Sequence, residues 1–123
     1  MNKYSGIVQK GAKRGAALGF PTINIPLEDT SPSGIYVARV RVGEEEYEAV
    51  AFADKKRKIL EAHLLDFPAQ GRSASGGSID LYGWNVSIEL LEKMRDEKKF
   101  LNDTKLKATI ADDIAKVRKF FKN

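Results

Sequence analysis

Ile35-Tyr36-Val37-Ala38-Arg39-Val40-Arg41-Val42, followed by Gly43-Glu44-Glu45 and a second apolar-rich run over residues 47–52, decides the fold class. The first run is β-branched and alternates, so its side chains divide between two faces of an extended strand. The glycine-led break reads as a hairpin turn into a second strand. The rest of the chain is read against this antiparallel pair.

Upstream, residues 4–10 alternate well enough for a first strand, with Gly6 as a bulge or a point of close backbone approach. Residues 23–27 form a short strand, and residues 28–34, rich in Ser, Asp, Pro and Gly, a turn-rich connection. Downstream, Asp54 and the cations Lys55, Lys56, Arg57 and Lys58 read as an exposed, solvated hairpin loop. Residues 59–65 are the next strand, with Glu61, His63 and Leu65 on one face. Residues 68–78 have the composition of a flexible Gly/Ser-rich loop, expected to be poorly ordered. Residues 79–91 then supply one long strand, or two broken at Gly83-Trp84. Asn102 or Asp103 caps a terminal helix in which Leu106, Ile110, Ile114, Val117 and Phe121 recur on one stripe. Short strands followed by one helix imply an antiparallel sheet, and closure into a small barrel would remove its open edges.

At 123 residues the expectation is a single domain over 1–123. The absence of cysteine excludes disulfides and thiolate chemistry. Met1-Asn2-Lys3-Tyr4 lacks the apolar core of a signal peptide, and no apolar run approaches spanning length. A soluble, cytoplasmic protein is expected, with no membrane partner. The net charge of +4 favours anionic partners but does not choose among them.

The most unusual run is Gly11-Ala12-Lys13-Arg14-Gly15-Ala16-Ala17-Leu18-Gly19-Phe20-Pro21-Thr22-Ile23-Asn24. Glycines expose backbone N–H donors, which with an adjacent cation make an anion cradle. Neither G-x-x-x-x-G-K-[ST] nor a strand-to-helix G-x-G-x-x-G is present. In an extended segment Thr22 and Asn24 point to one face, and such oxygen ligands, with waters and substrate phosphates, suit Mg²⁺. The plain alternative is a mobile loop ending in a turn-satisfying Thr-x-Asn.

This run resembles the Gly-rich loop and Pro-Thr-Ala-Asn motif of the riboflavin kinase family, including the kinase half of bacterial bifunctional FAD synthetases. Residues 61–67 (EAHLLDF) are similar to that family's Glu-x-His-Leu-Leu-Asp-Phe, and residues 80–83 (DLYG) to its Asp-Leu-Tyr-Gly. Residues 94–100 (MRDEKKF), with Leu106, Ile110 and Asp113, are similar to its closing Arg-x-Glu-x-x-Phe and helix. The resemblance implies a six-stranded barrel with a C-terminal helix and transfer of the γ-phosphoryl of ATP to the 5′-hydroxyl of riboflavin, giving FMN.

It also implies roles. Gly11, Gly15 and Gly19, with Lys13 or Arg14, would cradle the nucleotide phosphates; Thr22 and Asn24 would hold Mg²⁺; Glu61 would be the general base. Arg95, Met94 and Phe100 would meet the flavin. The partners implied are riboflavin/FMN and ATP/ADP, with no nucleic acid, in a monomer of the single-domain kind lacking an adenylyltransferase.

Each residue has a plainer reading. Glu61 could be a surface carboxylate, Arg95 an ion pair with Asp96 or Glu97, and Trp84, Tyr82, Phe67 and Phe100 core. The lone His63 reads as structural. The chain departs from the family at Ala16-Ala17, where a basic residue is common, at Ile23, and over residues 52–58, where a Gly-x-x-Pro-Thr-Phe-like segment is replaced. Two rival functions follow: a flavin-binding barrel without turnover, and a basic barrel binding nucleic acid through Lys55, Lys56, Arg57, Lys58 and the C-terminal lysines.

Overall fold

The computed structural model describes residues 3–9, 22–29, 31–65, 83–97 and 102–122. Within them lie β1 (Lys3–Ile7), β2 (Thr22–Pro26), β3 (Gly34–Val42), β4 (Glu45–Asp54), β5 (Ile59–Leu64), β6 (Asn85–Arg95) and the helix α1 (Asp103–Lys122). The strands form one six-stranded sheet in the order β1-β6-β3-β4-β5-β2, each neighbouring pair antiparallel.

The sheet curls until its two ends nearly meet. Just past β1 the Gln9 N–H donates to the Asn24 carbonyl at 2.8 Å, an isolated antiparallel bridge between the edges. Gly6 makes that approach possible, because a Cβ there would lie 3.2 Å from the Cβ of Ile25. The expected closed barrel with a C-terminal helix is therefore present.

The hairpin that seeds the fold forms as read, with Ile35 opposite Phe52 and Val42 opposite Glu45. Tyr36, Ala38, Val40 and Val42 point into the barrel, where they meet Ile25, Leu60, Leu64 and Ile88. Ala38, Ala49, Ala51 and Ala62 also line this interior, and their small side chains let the walls of a narrow barrel close on one another. The outward residues Ile35, Val37 and Val50 form a second cluster, covered by Ile114, Val117 and Phe121 of α1. Asn102 caps that helix, its Oδ1 accepting from the Lys105 N–H at 3.0 Å.

Two strand ends differ from expectation by several residues. β1 ends at Ile7 rather than Lys10, because Val8 leaves the β6 ladder to exchange hydrogen bonds with Gly83 and Trp84. β6 begins after Gly83, whose φ is 88°, where the reading allowed a break, and continues to Arg95, past the expected end at Leu91. Two register shifts against β3 explain that extension, since Leu91 and Met94 fall between paired residues. Each such bulge lets neighbouring residues face the same side or feed opposite clusters; Leu90 lies in the barrel core while Leu91 and Met94 pack under α1. Asp54, expected in an exposed loop, is instead buried at the end of β4. It accepts from the backbone N–H groups of Lys56 and Arg57, both at 3.1 Å, and so ties down the turn. The cations of that turn are exposed as expected. Residues 68–78 lie outside the described residues.

Candidate active site

The outer face of the β2–β5 pair carries polar residues that are largely buried. Antiparallel register sets Asn24 opposite Glu61 and Thr22 opposite His63, while Ile23 and Ala62 between them face the core. Residues directly opposite share a face with Cβ atoms about 5 Å apart, so the four side chains make one compact block. Asn24 and Glu61 are buried, at 4% and 8% exposure.

Thr22 Oγ1 lies 3.0 Å from His63 Nδ1, and His63 Nε2 lies 3.9 Å from Glu61 Oε1. Burial pushes the His63 pKa down to about 4, against the upward pull of Asp113. The imidazole is therefore neutral near pH 7, and its approach to Glu61 is not an ion pair. Asn24 Oδ1 is buried and accepts no hydrogen bond among the described residues. A buried amide oxygen left so is costly, which marks it as a ligand-facing group.

The same face continues in register from Glu61 to Phe52, Ile35 and Arg95. Arg95, expected to face flavin with an ion pair to Asp96 or Glu97 as the plainer reading, pairs with Asp113 of α1. Its Nε and Nη2 donate to Asp113 Oδ1 and Oδ2 at 3.1 and 2.7 Å, and Nη1 donates to the Asp96 carbonyl at 3.1 Å. Met94 packs under the helix. Trp84, expected to be core, is 49% exposed. At the neighbouring turn, Arg57 is held by Asp54 through a 2.7 Å hydrogen bond. That bond raises its pKa, and the charges of Glu61 and Glu97 add to the effect. Gly11, Lys13, Arg14, Gly15, Gly19 and Phe100 lie outside the described residues.

The flavokinase model, described as riboflavin kinase, matches residues 2–121. The chain belongs to the riboflavin kinase family. Relatives include the bifunctional riboflavin kinase/FMN adenylyltransferase of Escherichia coli K12, 36% identical over 95% of this chain and 37% of that protein. The Bacillus subtilis protein of the same description is 30% identical over 96% of this chain and 38% of its own length. The chain thus spans under two fifths of the curated relatives it matches. A solved structure described as a macrolide-efflux protein from Streptococcus pneumoniae superposes with a TM-score of 0.73 at 26% identity, covering 94% of this chain and 38% of that one. Among the described residues no helix is long and apolar enough to cross a membrane.

For a flavokinase domain, the donors at this block suit a hard cation. Thr22 and Asn24 offer a hydroxyl and an amide oxygen, the latter without a partner among the described residues, and oxygen ligands of this kind fit Mg²⁺. Sequence reasoning placed His63 on the Glu61 face and read it as structural; what it lacked was the β2–β5 register that sets His63 against Thr22. Asp113 as the partner of Arg95 was also missed. Its signal was an acidic residue one position from Ile114 on the helix's apolar stripe.

Proposed function

We propose that this domain phosphorylates riboflavin, transferring the γ-phosphoryl of ATP to the 5′-hydroxyl in a Mg²⁺-dependent reaction that gives FMN. The observation that carries this reading is the cross-strand pair of Asn24 and Glu61, a buried amide oxygen facing outward beside a buried carboxylate. Phosphoryl transfer asks for that combination: a ligand for the ion bridging the phosphates and an acceptor for the hydroxyl proton.

Glu61 takes the proton of the 5′-hydroxyl as its oxygen forms the new bond to phosphorus; the bond from phosphorus to the bridging oxygen breaks, and ADP leaves. Thr22 and Asn24 would hold the Mg²⁺ that neutralises charge on the phosphate oxygens. Gly11, Gly15 and Gly19, with Lys13 or Arg14, are assigned the phosphate cradle on sequence grounds. From Glu61 to Arg95 the row crosses three inter-strand steps, about 14 Å along a curved surface. Arg95 therefore belongs at the far end of an elongated substrate, which suits the flavin ring rather than the reacting hydroxyl; Met94 and Phe100 are assigned to the flavin on sequence grounds.

Incubating the protein with riboflavin, ATP and Mg²⁺ and separating the flavins by chromatography tests this. FMN that appears only with both ATP and Mg²⁺ is the expected result. Flavin binding without FMN would leave a binding module, and no flavin interaction would overturn the reading.

A further inference from the structure

The turn from β4 to β5 lies in residues 52–58, where the chain departs from the family pattern, so the resemblance gives its side chains no task. The strand register places it beside the site. Asp54 stands opposite Ile59, and Glu61 opposite Phe52, on the same two strands. Asp54 and Glu61 are therefore diagonal neighbours on the outer face, about 7–8 Å apart. Asp54 is buried, and both its oxygens serve the turn: Oδ1 accepts the backbone N–H groups of Lys56 and Arg57 at 3.1 Å, and Oδ2 accepts Arg57 Nε at 2.7 Å. On the other side Lys58 holds a φ of 56°, which residues with a Cβ seldom take. Its carbonyl accepts from the Leu27 N–H at 2.8 Å, tying the turn to the strand that carries Thr22 and Asn24.

We infer that Arg57 is the cationic contact for the transferred phosphoryl group: Asp54 fixes its Nε, and its two Nη groups supply donors to the anion that forms beside Glu61 and departs as the 5′-phosphate of FMN. This assignment rests on the proposed function.

Fastening a turn takes one hydrogen bond from a guanidinium, and Asp54 receives it at Nε. Among the described residues neither Nη donates to anything, and the side chain is 46% exposed. The end of the guanidinium therefore keeps its two-pronged fork, the shape that meets phosphate oxygens bidentately. The Asp54 hydrogen bond does most to raise the Arg57 pKa, burial opposes it, and the charges of Asp54, Glu61 and Glu97 add upward pulls. The cation thus lies in the field of Glu61, at the reacting end of the site, without an ion pair to it among the described residues. Riboflavin carries no charge at its 5′ end, whereas a phosphate monoester there carries close to two. A cation held in this place distinguishes product from substrate by charge. Lys55 and Lys56 share the turn and are exposed, but no side-chain hydrogen bond anchors either among the described residues. They serve as internal controls for charge without placement.

The plainer role for Arg57 is to fasten the turn, and that role is indifferent to which flavin is bound. Flavin fluorescence measures the Kd of riboflavin and of FMN, with Mg²⁺ and ADP present, for the wild type and for variants that melt as cooperatively. Arg57→Gln should weaken FMN binding about 10-fold or more and riboflavin binding less than about 3-fold. Arg57→Lys, which keeps the charge and loses the fork, should recover part of the FMN affinity and stands in if the glutamine variant does not fold. Lys56→Gln removes the same charge from the same turn and should leave the ratio of the two affinities within about 2-fold of wild type. Equal losses for both flavins in Arg57→Gln, no loss in either Arg57 variant, or the same selective loss in Lys56→Gln would overturn the assignment. A wild type that binds neither flavin overturns the proposed function, and the assignment with it. A wild type that forms FMN, while the Arg57 variants keep its ratio of FMN to riboflavin affinity, overturns the assignment alone.

Discussion

At the scale of single residues, Glu61 and Arg95 occupy one row of the outer face yet answer to different forces. Glu61 is buried opposite Asn24, so its exchange for the isosteric amide leaves the packing almost unaltered and removes the proton acceptor. Glu61→Gln should lower kcat at least about 10²-fold while nucleotide binding is kept; near-normal turnover would remove Glu61 from the role. Arg95 is held bidentately by Asp113, with side chains 15% and 3% exposed. Truncating the acid leaves a guanidinium largely out of water without its counter-charge. Asp113→Ala should therefore cost about 3 kcal/mol in denaturant titrations, and a loss below about 1 kcal/mol would show that solvent replaces the partner.

Among the elements, what was legible in the sequence and what was not divide along a physical line. Alternation over residues 35–42 and the 3.6-residue stripe of α1 are local patterns, and both formed as read. The bulges that extend β6 and turn Leu91 and Met94 under α1 depend on the partner strand, and nothing local announces them. The same limit applied to the site: Thr22, Asn24 and Glu61 were identifiable by type, but their meeting rests on register, and the roles of His63 and Asp113 rest on contacts 41 and 18 residues away. Gly34 shows how tightly that register is held. It has a φ of 96°, and a Cβ there would stand 2.5 Å from the Arg95 carbonyl oxygen, so any side chain pushes β3 off the end of β6. Gly83 has a similar φ of 88° but open space around it. Gly34→Ala should cost about 2 kcal/mol or more and Gly83→Ala about 1 kcal/mol; thermal melts of the pair separate backbone strain from collision.

For the molecule as a whole, the same buried histidine predicts how stability depends on pH. His63 has a folded pKa of about 4 against an ordinary 6.5, lowered by burial with Asp113 pulling the other way. Between those values the unfolded chain binds a proton that the native barrel refuses, so stability rises with pH across that window and is lost as pH falls through it. The full effect is on the order of 3 kcal/mol. Asp29 and Asp96 behave differently. The Ser31 backbone N–H lowers the pKa of the first and Lys93 that of the second, both from an ordinary 3.8. For Asp54, burial acts upward but is outweighed by its hydrogen bonds to Arg57 and Lys56, so its pKa also falls below 3.8. These carboxylates contribute stability that is present above their unfolded pKa and lost below it, so their window opens only where that of His63 is closing. Urea midpoints followed from about pH 7.5 down to about pH 4.5 should therefore fall in the wild type, while His63→Asn, which has nothing to protonate at that position, should lose most of the slope. Parallel curves for the two proteins would mean that the native ring takes up its proton as readily as the unfolded one, and that the block at Thr22 and Glu61 is open to water.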